Sequence, residues 1–302
     1  MRRCIVASSW SARLGPVLSA IGLALAFPLV VLLVGWALLR RIGDLDAEER
    51  LDAALGVGIA VLAGAQFLVF ATGLGHGVVA LGTALAAAAA WLAAPSRPQA
   101  EWDPWLPWLV LLAWLQLLLI EAVLPGFTGG SWYYDWWMHY DAALVFLGER
   151  DPHTVWSRDF NIASRNPLFN LAAAAAMGFG GGRFLAFQAA VATTNGAVVL
   201  ALYLVVRGLF GRPAAFLGAG LACLNIWLMH LAWFTWSKTL VAFYLLLALH
   251  FHLRSLRREA EDAAGAGRDF AGFWLASVLA FLTHQLAAPY VAALLLHGMA
   301  HA

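Results

Sequence analysis

The chain has 302 residues, of which 63% are hydrophobic and 12% charged. Soluble domains carry about 45–50% and about 25%, so 18 basic and 17 acidic residues are too few to coat a water-soluble protein of this length. A formal charge of +1 excludes a general affinity for nucleic acid.

Several apolar runs are long enough to cross a bilayer. Spanning segments must satisfy their own backbone groups, so the composition predicts an all-α, polytopic transmembrane helix bundle. Lys238 is the single Lys among the basic residues. Cys4 and Cys223 form neither a disulfide framework nor a metal motif.

The apolar runs fall at 16–39, 53–72, 76–94, 104–124, 184–206, 213–233, 236–253 and 270–302. The first is too long for a cleaved leader and reads as a span or anchor. The last would reach roughly 50 Å as one straight helix, against a hydrocarbon core of about 30 Å. His284, Gln285 and Pro289 interrupt it, so it divides in two and the total becomes nine spans. Residues 1–95 form an N-terminal three-helix part. The proline-bearing stretch Pro95–Asp103 separates it from a second part, 104–302.

Arginine content orients the chain, because positive charge favours the cytoplasmic side. The loops 40–50, 95–103, 207–212 and 254–269 carry Arg and are predicted on that face. The long stretch 125–183 and the turn 234–238 then fall outside. Nine spans would put Arg2, Arg3 and Arg13 outside as well, against the same rule.

Five of the 17 acids fall between 135 and 159. Here Ser131-Trp-Tyr-Tyr-Asp-Trp-Trp-Met-His-Tyr-Asp follows a Pro-Gly-rich turn. Trp and Tyr favour the bilayer–water boundary, which predicts an interfacial helix with Asp135 and His139 on one face. Asp135 would then act as an acid at the mouth of a lipid-facing cavity; an aromatic belt with ordinary charges is the structural alternative. Arg165-Asn-Pro opens a short apolar helix, with Pro167 at its first position and Asn166 or Ser164 as its cap. This helix, Pro167 to Gly181, is too short to cross and is expected to lie at the interface or dip in.

Arg183 opens the next span, and a snorkelling side chain would also account for it. Lys238 sits at the outer end of a turn, where an ammonium suits a phosphate. His284–Gln285 break the last run on the same face. Gln188, Thr193, Thr194, Asn195, Asn225 and His230 read as hydrogen-bond glue between helices, and His250 and His252 as residues at the cytoplasmic interface. No zinc-protease, P-loop or dinucleotide motif occurs.

The order of these features, from Asp135-Trp-Trp-Met-His139 through Asn-Pro-Leu-Phe-Asn-Leu, Arg183, Arg207-Gly-Leu-Phe-Gly-Arg212-Pro and Thr235-Trp-Ser-Lys238 to Leu282-Thr-His-Gln285, resembles the GT-C superfamily of membrane glycosyltransferases over residues 104–302. That family includes the protein O-mannosyltransferases and the aminoarabinose transferases of lipid A. The resemblance implies a bacterial plasma-membrane enzyme that moves a sugar from a polyprenyl-phosphate donor to an acceptor at the extracytoplasmic face. Asp135 matches the catalytic acid of the first outer loop, with His139 beside it.

Lys238, Arg165, Arg183 and His284 are the expected ligands of the donor phosphate, with membrane lipid as the surrounding partner. Several members carry a second acid in the second outer loop. Ser237 or Lys238 stands there in this chain, which departs from the two-carboxylate pattern. Members are also longer, so the chain reads as a short, split or incomplete member. No cofactor is certain; Asp135 and His139 could take a divalent metal ion, although two ligands are too few to claim one. Two other readings compete. One is a non-catalytic subunit of an envelope-glycan system. The other is a transporter of a lipid-linked substrate, which should show repeats or broken helices.

Overall fold

The computed structural model describes residues 10–40, 42, 44–93, 103–123, 133–151, 166–180, 184–233, 236–259 and 261–301. These residues form helices and no strands. In chain order the helices are α1 (Trp10–Leu39), α2 (Ala47–Thr72), α3 (His76–Ala93), α4 (Leu106–Val123), α5 (Tyr133–Leu147), α6 (Leu168–Gly180) and α7 (Phe184–Gly196). They continue as α8 (Val198–Phe210), α9 (Arg212–Leu224), α10 (Ile226–Trp233), α11 (Lys238–Arg258), α12 (Ala263–Thr283) and α13 (Ala287–His301).

Local chemistry sets the helix ends. Asp46 caps α2 in a reciprocal box: its Oδ1 accepts from the Glu49 N–H at 2.9 Å, and Glu49 Oε2 accepts from the Asp46 N–H at 3.1 Å. Gly73, at φ +67°, ends the helix in the left-handed conformation that a Cβ disfavours. Asp262 caps α12 by accepting from the Gly265 N–H at 2.9 Å. Asn225 ends α9 and caps α10, its Oδ1 accepting from the N–H groups of Trp227 and Leu228.

Four described helices or helix runs are long and apolar enough to cross a membrane: Ala47–Thr72, His76–Ala93, Ala186–Phe210 and Lys238–Arg258. A fifth crossing results if Arg212–Leu224 and Ile226–Ala232 form one bent span. This all-helical set of apolar spans is that of a membrane protein. The run expected as one helix over 213–233 turns by 70° at Asn225. There the Asn side chain accepts from Trp227 and Leu228, two of the N–H groups that the break frees. The run 270–302 divides as its polar residues predict, α12 ending at Thr283 and α13 starting at Ala287.

The core is continuous from α1 to α13. The N-terminal helices share it, since α1 packs on α7 and α2 packs on α6 and α11. Helices α1 and α2 touch through backbone. A Cβ on Gly35 would lie 1.9 Å from the Ala54 carbonyl oxygen, and one on Gly58 would lie 2.0 Å from that of Val31. Small residues permit this approach, as in helix pairs packed within a bilayer. Helix α6 is buried over Leu168–Met177 among α1, α2, α5, α7 and α12. The short helix expected near the interface is thus enclosed by protein. Helix α3, by contrast, has no buried residue, as expected of an apolar helix whose solvent is lipid.

Candidate functional site

Charged side chains gather at one end of the bundle. Glu48 Oε1 accepts from the Asp103 N–H at 2.7 Å, and its Oε2 lies 3.1 Å from Arg207 Nη1. The other Arg207 nitrogen reaches Asp46 at 2.7 Å. Glu49 pairs with Arg254 and lies 3.0 Å from His250 Nε2. Arg254 also meets Asp269 at 3.1 Å, and Tyr203 donates to Asp103 at 2.5 Å. Burial would raise the Asp103 carboxyl, but the Tyr203 hydroxyl, the Trp105 N–H and the Arg212 and Arg207 guanidiniums together hold it below the usual carboxylate range. Described residues from each of the four loops that the sequence puts on one face, among them Asp46, Asp103, Arg207 and Arg254, therefore meet at one end.

The opposite end lies about 26 Å further along α2, the rise of the 17 residues from Glu49 to Gln66. There Gln66 donates to the Phe146 carbonyl at 2.7 Å and sits 3.2 Å from His76 Nε2. None of His139, Lys238 and His284 takes part in the charged network at the first end. Asp135 occupies the first turn of α5, and its side chain lies outside the described residues. His139, one turn on, is buried. Its Nδ1 is 2.8 Å from Asn170 Oδ1 of α6, and its ring stands edge-on to Phe169 at 4.9 Å. Asp141 pairs with Arg150 at 2.6 Å. Arg165 and Arg183 lie outside the described residues. The Asn166 side chain donates to the Phe281 carbonyl, tying the start of α6 to the end of α12.

Lys238 and His284 do come together. Both line a groove of about 570 Å³ whose walls are Val241, Leu245 and Leu249 of α11 and Tyr290, Ala293 and Leu294 of α13. Helices α11 and α13 run side by side in the same direction. His252 Nε2 is 3.1 Å from His297 Nδ1 near their far ends, and Lys238 and His284 sit near their starts. Lys238 is exposed, with Nζ 4.0 Å above the Trp236 ring, an arrangement that holds the ammonium without neutralising it. His284 Nδ1 accepts from the Leu286 N–H at 3.1 Å. A neutral His284 ring therefore carries its proton on Nε2, as a donor. The groove thus combines two donors at one end with an apolar slot about 16 Å long, the rise from Lys238 to Leu249.

Some expected roles differ. The Thr193 and Thr194 hydroxyls donate to Ala189 and Ala190 of their own helix, each at 2.8 Å; a hydroxyl with a carbonyl four residues back needs no second helix. Asn195 does bridge helices, its amide donating to the Ala232 and Trp236 carbonyls. His250 and His252 are buried partners of Glu49 and His297. Sequence reasoning passed over Glu48, Glu49, Arg207 and Arg254 as site residues, although Asp46-Ala-Glu-Glu, an acid-rich helix start before an apolar run, carries the capping signal. Among the described residues no group of three or more His, Cys, Asp or Glu is arranged to hold a metal ion. No protein-family model, no curated protein and no solved structure matches this chain.

Proposed function

We propose that the protein is a GT-C-type integral membrane glycosyltransferase, with about nine crossings, that uses a polyprenyl-phosphate sugar at the extracytoplasmic face of a bacterial plasma membrane. The groove carrying Lys238 and His284 at one end and aliphatic walls along its length supports this reading most directly. An isoprenoid phosphate has the same division into anionic head and apolar tail.

A glycosyl phosphate brings its own leaving group. The acceptor oxygen forms a bond to the anomeric carbon, the bond from that carbon to the phosphate oxygen breaks, and the electron pair leaves on the phosphate. Lys238 and the His284 Nε2–H stabilise that charge, with Arg165 and Arg183 as further ligands. Asp135 takes the acceptor proton as general base, and His139 orients it. One displacement inverts the anomeric centre.

The test is sugar transfer in proteoliposomes that contain a polyprenyl-phosphate sugar. Asp135→Asn should abolish transfer in a correctly folded protein, and full activity would remove Asp135 from the reaction. Lys238→Gln should raise the donor KM by about tenfold, the effect of losing one charge-assisted contact.

The 70° break at Asn225 favours a second reading, a transporter of a lipid-linked substrate. That protein would move labelled donor between leaflets without consuming it. A non-catalytic subunit would bind donor and do neither.

A further inference from the structure

A second groove lies at the charged end, on the other side of α11. It encloses about 500 Å³ between the α1–α2 pair and the α11–α12 pair. Ala53 and Val57 of α2, Leu247 and Phe251 of α11, and Leu275 and Leu279 of α12 form its walls. It extends about 16 Å, the rise of α12 from Arg268 to Leu279. Leu275 is half exposed, so the slot opens sideways to the bilayer.

The polar end of the groove is defined by Asp44, Arg268 and Asp269. Asp269 is committed, with Arg254 at 3.1 Å and Arg258 at 3.4 Å. Arg268 and Asp44 pair with each other, yet their side chains remain 54% and 33% exposed. Asp262 stands 4.0 Å from the same guanidinium. Arg268 has five N–H donors in a planar fork, and a carboxylate has about four acceptor sites. Each partner therefore keeps capacity for a ligand. A purely anionic head group would face Asp44 and Asp262 as well as Arg268. A head group with both signs meets a partner for each.

We propose that this groove is a binding site for a glycerophospholipid whose head group carries a primary ammonium. One acyl chain lies between α2 and α12, the phosphate diester accepts from Arg268, and the ammonium donates to Asp44. A primary ammonium fits better than a quaternary one, because it has N–H donors for the carboxylate. The inference rests on the protein's place in a bilayer and not on sugar transfer.

The test is lipid retention by the full chain. The detergent-solubilised protein is mixed with equal amounts of phosphatidylethanolamine, phosphatidylcholine and phosphatidylglycerol, and bound lipid is read by native mass spectrometry. Phosphatidylethanolamine should be retained preferentially. Arg268→Gln and Asp44→Asn should each reduce its retention about tenfold, the loss of one charge-assisted hydrogen bond. Ala271→Trp, at an exposed position on the groove, should block it while elution as a single species shows intact folding. Equal retention of phosphatidylcholine, preference for phosphatidylglycerol, detergent alone in the groove, or undiminished binding in Ala271→Trp would each overturn the assignment.

Discussion

Glu49 shows how one residue gathers distant parts of the chain. Its carboxylate caps its own helix through the Asp46 N–H, pairs with Arg254, and sits 3.0 Å from His250. Burying such a group is tolerable because each oxygen has a partner. Removing it deprives the buried Arg254 of one of its two carboxylate partners. Glu49→Ala should therefore destabilise the protein by about 3–5 kcal/mol, read as loss of monodisperse protein on heating in detergent. Asp103 adds a pH dependence whose sign follows from its environment. Its carboxyl is held below the usual range, so the folded state binds its proton more weakly than the unfolded chain does. The stabilisation is present above the unfolded value of about 3.9 and is lost as pH falls through the folded one. The gap in melting temperature between the parent and Asp103→Asn should be full at pH 6 and close below pH 4. A gap that widened in acid would contradict the arrangement.

Helices α1 and α2 carry a different kind of constraint, shape rather than charge. Gly58 lies where any Cβ would meet the Val31 carbonyl at 2.0 Å, a backbone atom that no rotamer change can move. Gly58→Ala should cost about 1–3 kcal/mol through overpacking. Gly64, with open space around its Cβ position, should tolerate Ala at no such cost, and the pair of melting curves checks the difference. The helix pattern was legible at this scale wherever chemistry is local. The His284–Gln285 break and the cap at Asp46 are written in adjacent residues. The 70° bend at Asn225 was not legible, because an apolar run reads alike whether straight or broken. Thr193 and Thr194 misled for a related reason: a hydroxyl bonded to its own helix and one bonded across helices look the same in sequence. The Glu49–Arg254 pair was illegible because its partners meet only once α2 and α11 pack.

At the scale of the whole molecule, the helices separate two chemically distinct ends. Helix α2 carries Glu48 and Glu49 at one end and Gln66 at the other. Helix α11 carries Arg254 in the ion-pair network and Lys238 16 residues earlier, about 24 Å away. Helix α12 places Asp269 in the network and Phe281, where Asn166 docks, about 18 Å beyond. Three helices thus separate the two ends by about 18–26 Å, within the roughly 30 Å of a hydrocarbon core. The lone Lys was legible as a candidate because it stands where Arg is otherwise grouped elsewhere; its company with His284 needed the fold. The positive-inside rule, applied to the Arg residues gathered at the network end, makes a cytoplasmic location of that end the expectation to test. In a protein whose Cys4 and Cys223 are replaced by Ser, a cysteine at the exposed Glu261 should be shielded from an impermeant maleimide in intact cells. One at the exposed Glu149, beside the α5 terminus, should react. Reaction at Glu261 with protection at Glu149 would invert the orientation, and the Lys238–His284 groove would then face the cytoplasm. The proposal of a sugar donor used at the extracytoplasmic face would fail with it.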